Sequence, residues 1–231
     1  IVTRLIQPND IDTQAKPISR PRMDFEFWRE RWDTGRILFH EGAPNAHLVK
    51  FAQLLGVKRR VLVPLCGKAE DLAYLASLGH QVVGSEIVES AVTAFFDEHQ
   101  LVPEVKTVGS MKVYTFQNVT IWVGDFFAMD RSMFGDVDAL YDRAALVALT
   151  AEQRATYATH IRRLLPPGAV GLVITLQYDQ SLMQGPPFSV SGNEINRLYE
   201  GIHIECLNDI QAQGPRFTEI GARELCWRLQ F

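Results

Sequence analysis

The chain has 231 residues, 47% of them hydrophobic and 22% charged, with a formal net charge of −4. That length suits one α/β domain with a full core, and basic residues that occur singly or in pairs leave no footprint for nucleic acid. Cys66, Cys206 and Cys226 are widely spaced and form no CxxC pair, which argues against a disulfide framework or a zinc site and for a reduced, cytoplasmic setting.

Residues 1–22 are polar, interrupted by proline and without helical or strand period. They are expected to be an expression-derived extension before a natural start at Met23, or else a native disordered arm, and are set aside from fold reasoning. Phe25, Trp28 and Trp32 follow helical spacing; Leu48, Phe51, Ala52 and Leu55 mark a second amphipathic helix, stopped by Gly56. Residues 60–64 read as a short buried strand and 69–78 as a helix with Leu72, Leu75 and Ala76 inward and Gly79 as its stop. A strand at 81–86 and a helix at 88–99 follow, then an antiparallel excursion at 111–116 leading into strand 119–124. Strand 138–141 precedes helix 151–165, which ends at Pro166, Pro167 and Gly168, and residues 169–177 form the longest central-strand run. Ser191 and Glu194 predict a capping box opening a helix over 191–200. Strands at 202–207 and 223–230 are joined by a connection too short for a helical crossover, so that pair is expected to be antiparallel. Alternating β and α elements predict a mostly parallel sheet with helices on both faces in one domain over residues 23–231. No apolar run is long enough to span a bilayer, and no signal peptide is recognisable.

In such sheets ligands bind beyond the carboxyl ends of the strands, where the strand order reverses. Four strand ends carry candidate chemistry. Leu65-Cys66-Gly67-Lys68 is a tight turn in which Gly67 lets a ligand approach the backbone. It has one glycine and lacks the G-x-G-x-x-G pattern that brings a pyrophosphate to a helix N-terminus. That absence favours a nucleoside cofactor without phosphates, of which S-adenosylmethionine is the common one. Glu86 ends the second strand about 20 residues past this turn, where a carboxylate can accept from ribose hydroxyls. Asp125 can accept from an adenine amino group while Phe126 covers the ring; the other reading is a turn aspartate beside a core phenylalanine pair. Asp142 and Arg143 follow a short strand at the cleft mouth, where Arg143 either holds a cofactor carboxylate, stabilises an anionic acceptor or makes a surface ion pair.

These residues resemble the thiopurine S-methyltransferase family. The matching stretches are FWRERWDTGRILFHE (27–41), VLVPLCGKAEDLAYLASLGHQVVGSE (61–86), GDFF (124–127), YDRAALVAL (141–149) and GPPFSVS (185–191). The resemblance implies a class I methyltransferase fold, a Rossmann-like three-layer sandwich with a mostly parallel seven-stranded sheet and an antiparallel C-terminal strand pair. It implies S-adenosyl-L-methionine as donor, S-adenosyl-L-homocysteine as product, and small-molecule sulfur or selenium acceptors such as thiols and selenols. By position, Trp28, Trp32, Leu65, Gly67, Glu86, Asp125, Phe126 and Arg143 are expected on the cofactor. Phe39, Pro186, Pro187 and Arg216 are expected around the acceptor, Arg143 and Arg216 orient it, and residues 23–42 form a lid. Ser85 departs from the family pattern, which has an apolar residue before the carboxylate.

Methyl transfer from a sulfonium is an in-line displacement on an activated electrophile, so positioning and water exclusion carry most of the catalysis. The six scattered histidines show no Ser-His-Asp pattern. An aromatic thiol ionises near neutral pH, and a nearby arginine favours its thiolate. Two rivals come from other classes: an NAD-dependent oxidoreductase, which needs a pyrophosphate cradle, and a binding module without turnover. A third keeps the chemistry and changes the acceptor to a small aliphatic thiol, hydroxyl or metalloid. The resemblance, together with the absence of a surplus apolar stripe in the sequence, implies a monomer.

Overall fold

The computed structural model describes residues 24–37 and 41–231, and its sheet is built around β1 (Arg60–Val63). Val61 and Val63 face one side of the sheet and Leu62 the other, each 3% exposed or less. A strand apolar on both faces needs cover on both, which is why its sequence reads as a continuous run. Its neighbours are β2 (Gln81–Glu86) and β6 (Ala139–Arg143), both parallel to it. Beyond them lie β5 (Val119–Val123) and β7 (Val170–Gln177), again parallel.

Antiparallel strands flank this parallel centre. On one side β3 (Glu104–Val108) and β4 (Met111–Phe116) form a hairpin whose second strand pairs with β5. On the other, β9 (Arg223–Gln230) lies between β7 and β8 (His203–Gln211). The order is β3-β4-β5-β2-β1-β6-β7-β9-β8. The eight strands read in chain order are all present, the C-terminal pair is antiparallel, and the sheet has nine strands rather than the seven that the resemblance implies. The addition is β3, exposed at every position and so without the alternation that would have announced it.

Helices cover both faces. On one, α2 (Ala46–Phe51), α3 (Glu70–Ser77) and α4 (Glu89–Glu98) bury Leu48, Leu72, Leu75, Phe95 and Phe96 against Val61, Val82, Ile121 and Tyr141. On the other, α6 (Ala151–Leu164) and α7 (Gly192–Leu198) bury Tyr157, Ile161 and Ile195 with Phe126, Phe134, Leu140 and Val173. Each such large apolar side chain contributes roughly 1.5–3 kcal/mol through the water it sheds. Helices α1 (Phe25–Asp33), α5 (Arg131–Phe134) and α8 (Pro215–Glu219) complete the α-helices among the described residues. No helix among them is long and apolar enough to cross a membrane.

Several boundaries differ from expectation, each for a physical reason. The predicted helix through Leu55 is α2 followed by a tighter 3₁₀ turn over Ala52–Leu55, which delivers the chain to Gly56. Ser191 caps α7 through the Glu194 N–H, but the Glu194 carboxylate turns away to Arg154, so only half of the predicted capping box exists. The full box opens α6 instead, between Thr150 and Gln153. A bulge between Cys206 and Asn208 breaks the alternation of β8 and hides its true length, so the predicted connection from Asn208 loses its first residues to the strand.

Candidate active site

The tips of β5, β2, β1 and β6 stand side by side, and the chain's path from β1 leads to β2 on one side and later to β6 on the other. That reversal opens a crevice at their carboxyl ends. The turn after β1 is its floor. Leu65 holds a left-handed backbone (φ +49°), Cys66 N–H donates to the Ser85 carbonyl at 2.9 Å, and Leu65 N–H donates to Ser85 Oγ at 3.3 Å. Ser85, the departure from the family pattern, is thus a fully buried acceptor that ties the turn to β2.

Gly67 is required twice over. Its φ is +53°, and a Cβ there would come within 3.0 Å of the Trp32 ring, which lies against the turn. Glu86 closes the back of the crevice at 7% exposure. Its Oε2 accepts from Gly67 N–H at 2.9 Å; its Oε1 accepts from Ile87 and Val88 N–H at 2.8 and 2.9 Å. Burial raises its pKa, and these three donors act in the opposite direction. A carboxylate has about four lone-pair directions, and these donors take three of them.

Gly124-Asp125-Phe126-Phe127 follows β5. Asp125 is partly exposed and its carboxylate accepts from Phe127 N–H at 3.0 Å, capping a short 3₁₀ turn. Phe126 is 1% exposed and packs among Phe134, Tyr157 and His160. Its ring belongs to the core rather than to an open face.

β6 separates its side chains by strand alternation. Asp142, expected at the cleft mouth, is fully buried on the α6 side, where it accepts from Tyr157 Oη at 2.7 Å and from Leu146 N–H at 3.4 Å. Burial pushes its carboxyl up to about 6. Tyr141 and Arg143 share the opposite face. Arg143, with 13% of its side chain exposed, pairs with Glu41. Burial opposes its charge, but Glu41, Tyr141 and Asp71 outweigh that and raise its pKa. Asp71, from the first turn of α3, is 2% exposed and accepts from Tyr141 Oη at 3.0 Å and Asn45 N–H at 2.7 Å. Glu41, Asn45 and Asp71 were not singled out in the sequence; only the folded chain brings them to Arg143.

Pro186 and Pro187 sit in a loop laid over the same end of the sheet. Phe188 N–H donates to Val147 O at 2.6 Å, just past Arg143, and Val190 N–H donates to Leu176 O at 2.7 Å. Tyr178 Oη donates to the Pro187 carbonyl. Arg216, exposed on α8, is close enough to Tyr178 to oppose the burial that raises the phenol's pKa. Trp28 is half-buried and packs on the core beside Phe27. Phe39 lies outside the described residues. The structure therefore gathers Trp32, Leu65, Gly67, Glu86, Asp125 and Arg143 around one crevice, with Pro186, Pro187 and Arg216 on one flank, and turns the Phe126 ring away. No group of three or more His, Cys, Asp or Glu among the described residues is placed to hold a metal.

This arrangement of parallel strand tips, one-glycine turn and buried carboxylate, together with the family match and solved methyltransferases of the same fold, places the chain among the class I S-adenosylmethionine-dependent methyltransferases. The thiopurine S-methyltransferase family model matches residues 23–230, and the chain belongs to that family. Among similar proteins, a thiopurine S-methyltransferase of Pseudomonas putida is 44% identical over 211 residues, covering 90% of this chain and 98% of its own length. One from Azotobacter vinelandii is 46% identical over 178 residues, covering 76% and 82%. Solved structures share the fold at lower identity. The 1,6-didemethyltoxoflavin-N1-methyltransferase of Burkholderia thailandensis aligns with a TM-score of 0.63 at 18% identity, covering 89% of this chain and 86% of that one. A TehB-like methyltransferase of Corynebacterium glutamicum aligns at 0.54 and 15%, covering 89% and 97%.

Proposed function

We propose that this chain methylates the sulfur of aromatic and heterocyclic thiols, thiopurines among them, and extends to selenium or tellurium compounds. The observation that carries the donor half is the Glu86 carboxylate, held by three backbone N–H groups and left with one acceptor direction beside a turn that has no phosphate cradle. That fits a sugar hydroxyl of a phosphate-free adenosine and not a pyrophosphate, which disfavours the nicotinamide alternative. Membership of the family supports the acceptor half.

When bound, S-adenosylmethionine supplies a methyl group already activated on a sulfonium. The chain's own residues then have three tasks. Glu86, Leu65 and Gly67 hold the nucleoside, with Asp125 toward the base. Trp32, lying against the Gly67 turn, and Trp28, four residues earlier on α1 and packed on the core, belong to a lid over residues 23–42 that excludes water. Pro186 and Pro187 present an apolar wall to the acceptor, and Arg216, whose charge already acts on Tyr178, favours its thiolate. Arg143 faces the same space but is engaged by Glu41. The thiol proton leaves to water, because an aromatic thiol needs no strong base near neutral pH.

We also read the chain as a cytoplasmic monomer, its residues 23–231 one domain, that engages neither nucleic acid nor membrane. The net charge of −4, with basic residues that occur singly or in pairs, supports the absence of a nucleic-acid partner. Transfer of labelled methyl from S-adenosylmethionine to thiophenol, a selenol and tellurite tests the main reading. Label in the aromatic thiol is the expected result, and none in any acceptor would sink it.

A further inference from the structure

The Glu41–Arg143 pair has a chemical consequence for acceptor choice. Arg143 is permanently charged and mostly withdrawn from water, so it requires a counter-charge. Glu41 supplies it directly, and its second oxygen, Oε2, lies 3.5 Å from Asn45 Nδ2. Asn45 in turn donates its backbone N–H to Asp71, the second carboxylate acting on Arg143, which also takes Tyr141 Oη. One cation thus pairs with one carboxylate and lies in the field of a second, at the tip of β6 and within four residues of the carbonyl that anchors the acceptor loop.

We propose that Glu41 is a specificity-determining residue that occupies the Arg143 guanidinium and so selects for thiols whose only ionisable group is sulfur, against thiols that also carry a carboxylate. The proposal rests on the methyl-transfer reading. An incoming carboxylate must displace Glu41 from its fork and then face Asp71, whereas a thiol without one makes no demand on that guanidinium. The Glu41 side chain is 43% exposed, so it is able to swing into solvent, which makes the selection graded rather than absolute. Remove it, and a mostly buried guanidinium is left to recruit an anion from the ligand.

The test compares wild type, Glu41→Gln and Glu41→Asp in two assays. In the first, kcat and KM are measured for thiophenol and for 4-mercaptobenzoate. The expected result is a wild-type preference for thiophenol that narrows by about tenfold in Glu41→Gln, through the KM of the carboxylated thiol, and returns in Glu41→Asp. In the second, benzoate binding is followed by tryptophan fluorescence without turnover, and Glu41→Gln binds it about tenfold more tightly. A merely structural tether would weaken both thiols alike and leave benzoate unaffected. Thiol preference and benzoate affinity that both stay at wild-type values in Glu41→Gln overturn the proposal while leaving methyl transfer intact. Tighter benzoate binding without methylation of either thiol by wild type supports the counter-ion role and overturns the methyl-transfer reading instead.

Discussion

Asp142 shows how far one buried carboxyl couples fold and pH. Its folded pKa of about 6 lies above its ordinary value of 3.8, because burial disfavours its charged form. A carboxyl raised in this way contributes stability that is fully present below pH 3.8 and is lost as pH rises through about 6. The loss is on the order of 3 kcal/mol at neutral pH. Asp142→Asn removes the titration, so urea midpoints compared with wild type at pH 4, 5, 6 and 7 will show a flatter profile, whatever the variant's absolute stability; an unchanged slope would contradict the assignment. Arg216→Glu is expected to move the acidic limb of the pH–rate profile upward by about one unit at low salt, because the thiolate loses its cation; an unmoved limb would remove Arg216 from the acceptor. At this scale Gly67 and Glu86 were legible because backbone approach and a strand-end carboxylate are local features. Glu41 and Asp71 were not, because each gains its meaning from partners that are distant in sequence. Phe126 looked like a ring cover because a sequence does not say toward which layer a strand-end aromatic turns.

Among elements, the joint between α6 and α7 carries a mostly buried ion pair. Arg154 and Glu194 meet in a two-pronged pair at 2.8 and 3.1 Å, with 6% and 13% of their side chains exposed, and Arg154 also donates to Leu149 O at 2.8 Å. Arg154→Ala strands a buried carboxylate and should cost about 3–5 kcal/mol in urea unfolding. Replacing both partners with apolar residues should recover much of that, and a single-variant loss below about 1 kcal/mol would show that water already satisfies the pair. The lid is the second test at this scale. Trp32→Ala uncovers the Gly67 turn and should weaken S-adenosylhomocysteine about tenfold in a calorimetric titration; equal affinity would mean that Trp32 only packs. Helices with apolar faces and glycine or proline stops were readable in the sequence to within a few residues. The β3 edge escaped notice because an exposed strand needs no apolar alternation, and the end of β8 because its bulge shifts the alternation.

For the whole molecule, the parallel centre of the sheet was legible because strands buried on both faces must be apolar throughout, and their alternation with helices leaves few topologies. The crevice follows from that topology, and its contents follow from the one-glycine turn and the carboxylate opposite it. Glu86 is the proposed grip on a phosphate-free adenosine cofactor. Calorimetric titration of wild type and Glu86→Gln with S-adenosylhomocysteine, with NAD as comparison, addresses it most directly. Wild type is expected to bind S-adenosylhomocysteine, Glu86→Gln to bind it about tenfold to a hundredfold more weakly, and neither to bind NAD. Equal affinity in the two proteins, or tight binding of NAD, would contradict that assignment.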